Sequence, residues 1–253
     1  MPNLNSFEEI PRKDLHVFYI LDTSGSMFGA KISSLNRAME ETLEALQSVA
    51  QSNADAKLKL AVMQFNTNPS WVTWNGPEDL ESDFIWEPLT EGGTTNMAPV
   101  LRELNAKLSR SGWLNSMAGA MMPILIFMTD GFATDEEADY VAALEEIRRN
   151  KWFQRATKIG FAIGDDADEN MIAEIVGTPE AVIKTNDLEI FKKLMKFVSV
   201  TTSMLASQSV IGKASDAADI VRKAKADAGM DVEPIVADVQ TVDTGSDWDD
   251  GGW

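Results

Sequence analysis

The chain has no cysteine and a single histidine among its 253 residues. Without cysteine it can form no disulfide, zinc knuckle or iron–sulfur cluster, and it can perform no thiol catalysis. A Ser-His-Asp triad or a multi-histidine metal site would have to include His16. That residue begins an apolar run, which favours a structural role. These absences exclude most chemistry that depends on thiols or imidazoles.

Basic residues are also scarce, because 22 Lys and Arg stand against 40 Asp and Glu, for a net charge of −18. Such a chain repels nucleic-acid phosphates and anionic membrane surfaces, so a broad basic binding face is excluded. The longest strongly apolar run, Pro123–Met128, is too short to cross a bilayer. The start, Met1–Asn5, lacks the basic and apolar segments of a secretion signal. We therefore expect a soluble, acidic, cytoplasmic protein.

Predicted strands and helices alternate along the chain. His16–Leu21 is a continuous apolar run, which is typical of a strand buried on both faces of a parallel sheet, and further strands are predicted at Leu58–Phe65, Ile124–Met128 and Lys158–Ile163. Apolar residues at helical spacing predict helices over 31–52, 97–109, 136–151, 171–176 and 188–205. Shorter edge strands are predicted at Trp71–Trp74, which we expect to be antiparallel, and at Ala181–Lys184. The pattern predicts an α/β fold with a doubly wound, mostly parallel, Rossmann-like sheet, one antiparallel edge strand and helices on both faces.

The composition changes near residue 206, so we predict a lead-in over 1–13, one domain over 14–206 and an acidic, largely flexible tail over 207–253. A weak helix is predicted at 215–228. After Lys225 the chain has seven Asp and one Glu but no basic residue. A solubilising role would explain that charge. Because exposed tryptophan is enriched at binding hot spots, we also predict that Trp248 and Trp253 anchor the tail on a partner protein.

Two predicted strands end in carboxylates. Asp22 follows His16–Leu21, the first strand, and Asp130 follows Ile124–Met128, the fourth strand in chain order. In open α/β sheets, ligands bind at the carboxyl ends of the strands, where successive connections leave in opposite directions. If the second and third strands lie on one side of the first strand and the later strands on the other, the two carboxylates become neighbours. Two carboxylates at such a short distance repel each other unless a cation lies between them.

Hydroxyl groups follow the same strand ends. The Asp22-x-Ser24-x-Ser26 segment can turn three oxygens toward one point, and Gly92-Gly93-Thr94 supplies another hydroxyl from a flexible loop. Carboxylates and hydroxyls form a hard, all-oxygen ligand set with too few charges for a dedicated calcium cage. The set favours Mg²⁺, or Mn²⁺, in octahedral geometry with retained water.

Together with Thr129-Asp130-Gly131, these segments resemble the metal-ion-dependent adhesion site of von Willebrand factor A domains. The resemblance covers about residues 14–206. It implies that Mg²⁺ is held by Ser24, Ser26 and Thr94, that Asp22 and Asp130 act through water, and that an acidic group of a partner completes the coordination. Thr95 is the alternative to Thr94. More narrowly, Phe161–Asp168 and the closing helix are similar to bacterial TerY-like proteins of tellurite-resistance clusters.

The resemblance implies a non-enzymatic, metal-dependent protein-interaction module. By analogy with TerY-like proteins, it would act in a bacterial stress or tellurite-resistance signalling system, with a protein kinase and a PP2C-type phosphatase as candidate partners. The alternative is an aspartyl-phosphate phosphotransfer or phosphoacceptor protein that uses Mg²⁺ and Asp22. Haloacid-dehalogenase-type phosphatases require a second Asp two residues later, where this chain has Ser24.

Overall fold

The computed structural model describes residues 11–82, 84–115, 119–208 and 217–230. The predicted tail anchors Trp248 and Trp253 lie outside these residues. The strands are β1 Lys13–Asp22, β2 Ala56–Phe65, β3 Pro69–Trp71, β4 Glu78–Asp79, β5 Ile124–Thr129, β6 Thr157–Ile163 and β7 Val182–Thr185. The α-helices are α1 Ala30–Ser52, α2 Met97–Lys107, α3 Glu137–Arg148, α4 Lys151–Arg155, α5 Glu169–Val176, α6 Leu188–Gln208 and α7 Ala217–Asp227.

The strands form one sheet in the order β3-β2-β1-β5-β6-β7. β1 is parallel to both of its neighbours, with Asp22 opposite Phe65 of β2 and Leu21 opposite Met128 of β5. Two short strands, β3 and β4, pair antiparallel with β2. The predicted doubly wound, mostly parallel sheet is confirmed. Its connections diverge on either side of β1, which creates a switch point at the carboxyl end of that strand.

Both faces of the sheet are covered by helices, which explains the continuous apolar runs of the parallel strands. Alternate residues of β1 serve two cores: Leu15, Val17, Tyr19 and Leu21 face the core that contains α1, α6 and α7, while Phe18 and Ile20 face the core of the opposite helices. Helix α1 contributes a stripe that includes Leu35, Met39, Leu43 and Leu46 to the first core. Because both faces of the sheet are covered, we expect a functional site at the ends of the strands.

Two predicted boundaries are wrong in detail. The helix expected over 136–151 ends at Arg148, and α4 starts separately at Lys151, because the side chain of Asn150 accepts hydrogen bonds from the amides of Trp152 and Phe153 and so caps a new helix. The antiparallel edge strand expected over 71–74 occupies Pro69–Trp71 instead. Beyond Trp71 the Val72 amide still donates to the Val62 carbonyl, but the Val62 amide donates to the Thr73 hydroxyl instead of to a backbone carbonyl, and the regular pairing ends there.

Helix α7 lies within the range assigned to the acidic tail, yet it is part of the folded domain. Ile220, Val221 and Ala224 are buried in the first core. The Lys225 ammonium donates a hydrogen bond to the Val182 carbonyl at 3.0 Å. Folded structure therefore continues at least to Met230, while the domain boundaries stay a prediction. None of the described helices is long and apolar enough to cross a membrane.

Candidate metal centre

Three loops meet at the carboxyl end of β1. The loop after β1 is tied to the segment before α2, because the Gly25 amide donates to the Gly93 carbonyl at 3.0 Å and the Gly92 amide donates to the Thr23 carbonyl at 2.8 Å. The loop after β5 joins them, since the Thr134 amide donates to the Thr95 carbonyl at 2.8 Å. The three sequence segments singled out as candidate ligands are therefore brought together.

Gly93 lies against a further segment, the turn after β2. Its φ is +79°, and a β-carbon at this position would lie 2.7 Å from the Thr67 hydroxyl oxygen. Any side chain would therefore push the segment away from the turn after β2 and strain the backbone. The close approach expected of the Gly92-Gly93 segment therefore depends on Gly93.

Asp22 is fully buried, and both of its carboxylate oxygens accept hydrogen bonds. Oδ1 accepts from the Ser24 amide at 2.7 Å, and Oδ2 accepts from the Thr129 hydroxyl at 2.5 Å. Burial raises the pKa of the carboxyl, the hydrogen bonds from Ser24 and Thr129 oppose that rise, and the nearby charge of Asp130 adds to it. These hydrogen bonds to Asp22 come from neutral groups, so a bound cation would stabilise the negative charge of the ionised carboxylate.

Asp130 and the two serines are directly connected. The Ser26 hydroxyl donates to Asp130 Oδ1 at 2.7 Å, and its oxygen lies 3.0 Å from Ser24 Oγ. Ser24 is buried and Ser26 is exposed, so this chain of oxygens runs from the interior toward solvent. Asp130 is itself only 2% exposed. Four predicted ligands, Asp22, Ser24, Ser26 and Asp130, therefore form one hydrogen-bonded group around the end of β1.

Thr94 is directed elsewhere. It is exposed, and its hydroxyl oxygen lies 3.2 Å from the Thr67 hydroxyl and 3.3 Å from Asn96 Oδ1. Thr95, by contrast, is 5% exposed. The point where a β-carbon on residue 131 would lie is 3.6 Å from Ser26 Oγ and 3.7 Å from Thr95 Oγ1, so the two hydroxyls face the same small space. The geometry favours Thr95 over Thr94 because the Thr95 hydroxyl shares this space with Ser26, whereas the Thr94 hydroxyl contacts Thr67 and Asn96.

The donor set fits a hard divalent cation. It consists of oxygen atoms alone, from two carboxylates and the hydroxyls of Ser24, Ser26 and Thr95, and Gly131 leaves open the space into which two of the hydroxyls point. Among the described residues no cluster of three or more His, Cys, Asp and Glu forms a carboxylate-rich cage. Few charges and several neutral oxygens suit Mg²⁺ or Mn²⁺ better than a fully caged Ca²⁺.

One charged neighbour was not foreseen from the sequence. Lys31, at the start of α1, donates to Asp130 Oδ2 at 2.5 Å, and its side chain is 31% exposed. A signal was present, because lysine is disfavoured in the first turn of a helix, where the backbone dipole repels positive charge. Outside the centre, Asp165, Asp166 and Asp168 do not approach these ligands through any hydrogen bond in the described part of the chain. Asp165 accepts from Asn186, and Asp168 caps α5.

The family model for the von Willebrand factor type A domain matches residues 16–197. No curated protein matches the chain. Solved structures with a similar fold include a von Willebrand factor type A protein from Catenulispora acidiphila, with 18% identity and a TM-score of 0.56, for which the match covers 77% of this chain and 43% of that one.

Two further structures are similar. Proximal thread matrix protein 1 of the mussel byssus has 16% identity and a TM-score of 0.52 over 74% of this chain and 47% of its own. The ArnB paralog VWA2 from Sulfolobus acidocaldarius has 14% identity and a TM-score of 0.52 over 73% of this chain and 44% of its own. At these identities the similarity shows the fold alone. The chain spans less than half of the length of each of the three structures.

Proposed function

The chain belongs to the von Willebrand factor type A domain family, and from this premise we propose that it is a metal-dependent protein-interaction module. Domains of this family are generally non-enzymatic adhesion or interaction modules. One observation carries the proposal for this chain: two buried carboxylates and the hydroxyls of Ser24, Ser26 and Thr95 converge at the switch point of the sheet.

The proposed cation is Mg²⁺, with Mn²⁺ as the alternative. Ser24, Ser26 and Thr95 would hold it through neutral oxygens, and Asp22 and Asp130 would supply negative charge. When bound, the cation would provide an electropositive point that accepts a carboxylate oxygen from a partner protein. Hydrogen bonds among Ser24, Ser26 and Asp130 would hold the two serine hydroxyls in position before the cation binds.

The aspartyl-phosphate alternative has little support from the geometry. A phosphoacceptor aspartate needs an accessible carboxylate oxygen that can attack phosphorus. Asp22 is fully buried, and both of its oxygens accept hydrogen bonds, from the Ser24 amide and the Thr129 hydroxyl. Its environment suits a fixed anion that orients neighbouring groups. We therefore favour the binding function over phosphotransfer.

The partner and the cellular setting are proposals at a finer level. The similarity of residues 161–168 to TerY-like proteins supports a bacterial stress or tellurite-resistance system in the cytoplasm, with a protein kinase and a PP2C-type phosphatase as candidate partners. The tail anchors Trp248 and Trp253 would add a second contact. Deletion of residues 241–253 should weaken capture of such a partner and leave the metal affinity unchanged.

Calorimetric titration with Mn²⁺ and Mg²⁺ tests the proposal. The wild-type protein should bind one divalent cation, and Asp130→Ala should lose that binding. Far-UV circular dichroism in EDTA should show that the domain stays folded, because its two apolar cores do not depend on the metal. Equal binding by the wild type and by Asp130→Ala would reject the metal centre. Unfolding in EDTA would instead show that the metal is structural.

A further inference from the structure

Lys31 contacts the carboxylate at the centre of the candidate metal site. Its ammonium donates to Oδ2 of Asp130, whereas Ser26 donates to Oδ1 of the same carboxylate. Lys31 and Ser26 therefore use opposite oxygens of Asp130. A cation held on the Ser26 side does not need to displace the lysine.

Local helix preferences do not explain a lysine at this position. Lys31 is the second residue of α1, where the helix dipole favours Asp or Glu, and the first turn of α1 contains no acidic residue. The ion-pair partner of this ammonium, Asp130, is instead 99 positions away in the sequence. The tertiary contact thus accounts for the residue better than the helix does.

The end of β6 leaves room for this side chain. Gly164 has a φ of +97°, and the point where its β-carbon would lie is 3.4 Å from Lys31 Nζ and 3.5 Å from Lys31 Cε. A β-carbon here would be in van der Waals contact with the lysine, and the positive φ would strain the backbone of any larger residue. The Lys31 ammonium therefore lies near the end of β6 while it pairs with the Asp130 carboxylate.

We propose that Lys31 is a resident counter-cation of the metal centre, which keeps Asp130 neutralised in the metal-free protein and lowers the affinity for the divalent cation by staying beside it. The second part of this inference rests on the proposed metal-binding function. Asp22, Asp130 and Lys31 together leave the metal-free group with one net negative charge, and a divalent cation would leave one net positive charge. Binding of a single partner carboxylate then brings the group to neutrality.

Two consequences follow from the burial of Asp130, whose side chain is fully inaccessible to solvent. Removal of the lysine charge would leave a buried carboxylate without its ion-pair partner, which destabilises the metal-free protein. The same removal takes a positive charge away from the cation, which tightens metal binding. A lysine that merely covers the surface would produce neither effect.

The test compares Lys31→Met and Lys31→Arg with the wild type by thermal denaturation in EDTA and in Mg²⁺, and by calorimetric titration with Mn²⁺. For Lys31→Met we expect the Tm in EDTA to fall by roughly 5 °C. We also expect its Tm gain in Mg²⁺ to be larger than that of the wild type, and its Mn²⁺ affinity to be about five- to tenfold tighter. Lys31→Arg, which keeps the charge, should behave like the wild type in all three measurements.

Lys57→Met is the matched control, because Lys57 forms an ion pair of similar length, 2.6 Å to Asp79, and its side chain is 37% exposed. The inference is overturned if Lys31→Met behaves like Lys57→Met, or if it binds Mn²⁺ more weakly than the wild type does. If the wild type binds no divalent cation, the proposed function fails, but the Tm in EDTA still tests whether Lys31 neutralises Asp130. Lys31→Gln repeats the test with a neutral side chain that retains a hydrogen-bond donor.

Discussion

Each end of the central strand β1 contains a buried ionisable group, and burial shifts the pKa values of the two groups in opposite directions. Near the amino end, His16 is 2% exposed, and its pKa is lowered to about 4, chiefly by burial. At the carboxyl end, burial raises the pKa of Asp22, while hydrogen bonds from Ser24 and Thr129 oppose that rise. Both shifts disfavour the charged form, which is the protonated cation for histidine and the carboxylate for aspartate.

The difference explains why only one end of the strand carries a candidate site. Neutral His16 stacks on Phe18 with ring centroids 6.2 Å apart, and it needs no counter-ion. Asp22 and Asp130 collect hydroxyl donors and the ammonium of Lys31 because a buried carboxylate needs compensation. The carboxyl end of β1 therefore places several oxygen atoms around two carboxylates. This arrangement favours the binding of a cation.

The largest effect should come from removing a carboxylate at the carboxyl end. Asp22→Ala should lower the affinity for Mn²⁺ at least about a hundredfold, because even outer groups of metal sites contribute ten- to hundredfold. Asp79→Ala is the control at the other end of the sheet, where Asp79 pairs with Lys57 and Lys59. Calorimetric titration measures both variants. Comparable losses in the two would remove the distinction between the two ends.

The amino end should respond to acid through His16. Its pKa is about 4 in the folded protein against 6.5 in the unfolded chain, so the unfolded chain binds more protons between these values. The stabilisation is complete above pH 6.5 and is lost as the pH falls toward 4. We expect this residue to lower the free energy of unfolding by about 2 kcal/mol between pH 7 and pH 5.

Urea denaturation of the wild type and of His16→Gln at the two pH values measures this contribution as the difference between their pH dependences. Because the chain has one histidine, its imidazole NMR signals report the pKa without overlap. An imidazole that titrates near its ordinary pKa would contradict the description of the amino end as neutral and buried.

A smaller effect should separate the two adjacent threonines. Thr95→Val should weaken Mn²⁺ binding roughly tenfold, since it removes one neutral oxygen that faces the same space as Ser26. Thr94→Val should leave the affinity nearly unchanged, because the Thr94 hydroxyl contacts Thr67 and Asn96. The paired titrations decide which hydroxyl belongs to the carboxyl-end site. The reverse order of effects would restore Thr94 as the ligand.

The smallest effect is expected for Lys57→Met at the amino end. Lys57 is partly exposed, and Asp79 keeps Lys59 as a second partner at 3.2 Å, so the free energy of unfolding should change by less than about 0.5 kcal/mol. Urea denaturation at neutral pH measures it. A loss similar to that of Lys31→Met would mean that exposed and buried ion pairs are equivalent in this protein.

Periodicity was enough to predict the architecture because each element has a strong, local hydrophobic pattern. The run His16–Leu21 could only be buried on both faces, and β1 is the central strand. Boundaries were less predictable, as the cap at Asn150 shows, because a single side chain competes with the helix that precedes it. The structured α7 was predicted as a weak helix in the tail, and only its burial against the sheet made it part of the domain.

For the site, the sequence by itself determined which residue types follow the strands: Asp22, Ser24 and Ser26 after β1, and Asp130 after β5. The strand order then made them neighbours, since β1 pairs with β5 across more than a hundred residues of chain. Only the tertiary structure distinguished Thr95 from Thr94 and brought Lys31 to Asp130. Both depend on the direction of a side chain after loops have packed together, which hydrophobic periodicity does not encode. Strand identity is a local property of the sequence, whereas ligand geometry arises from contacts between distant segments.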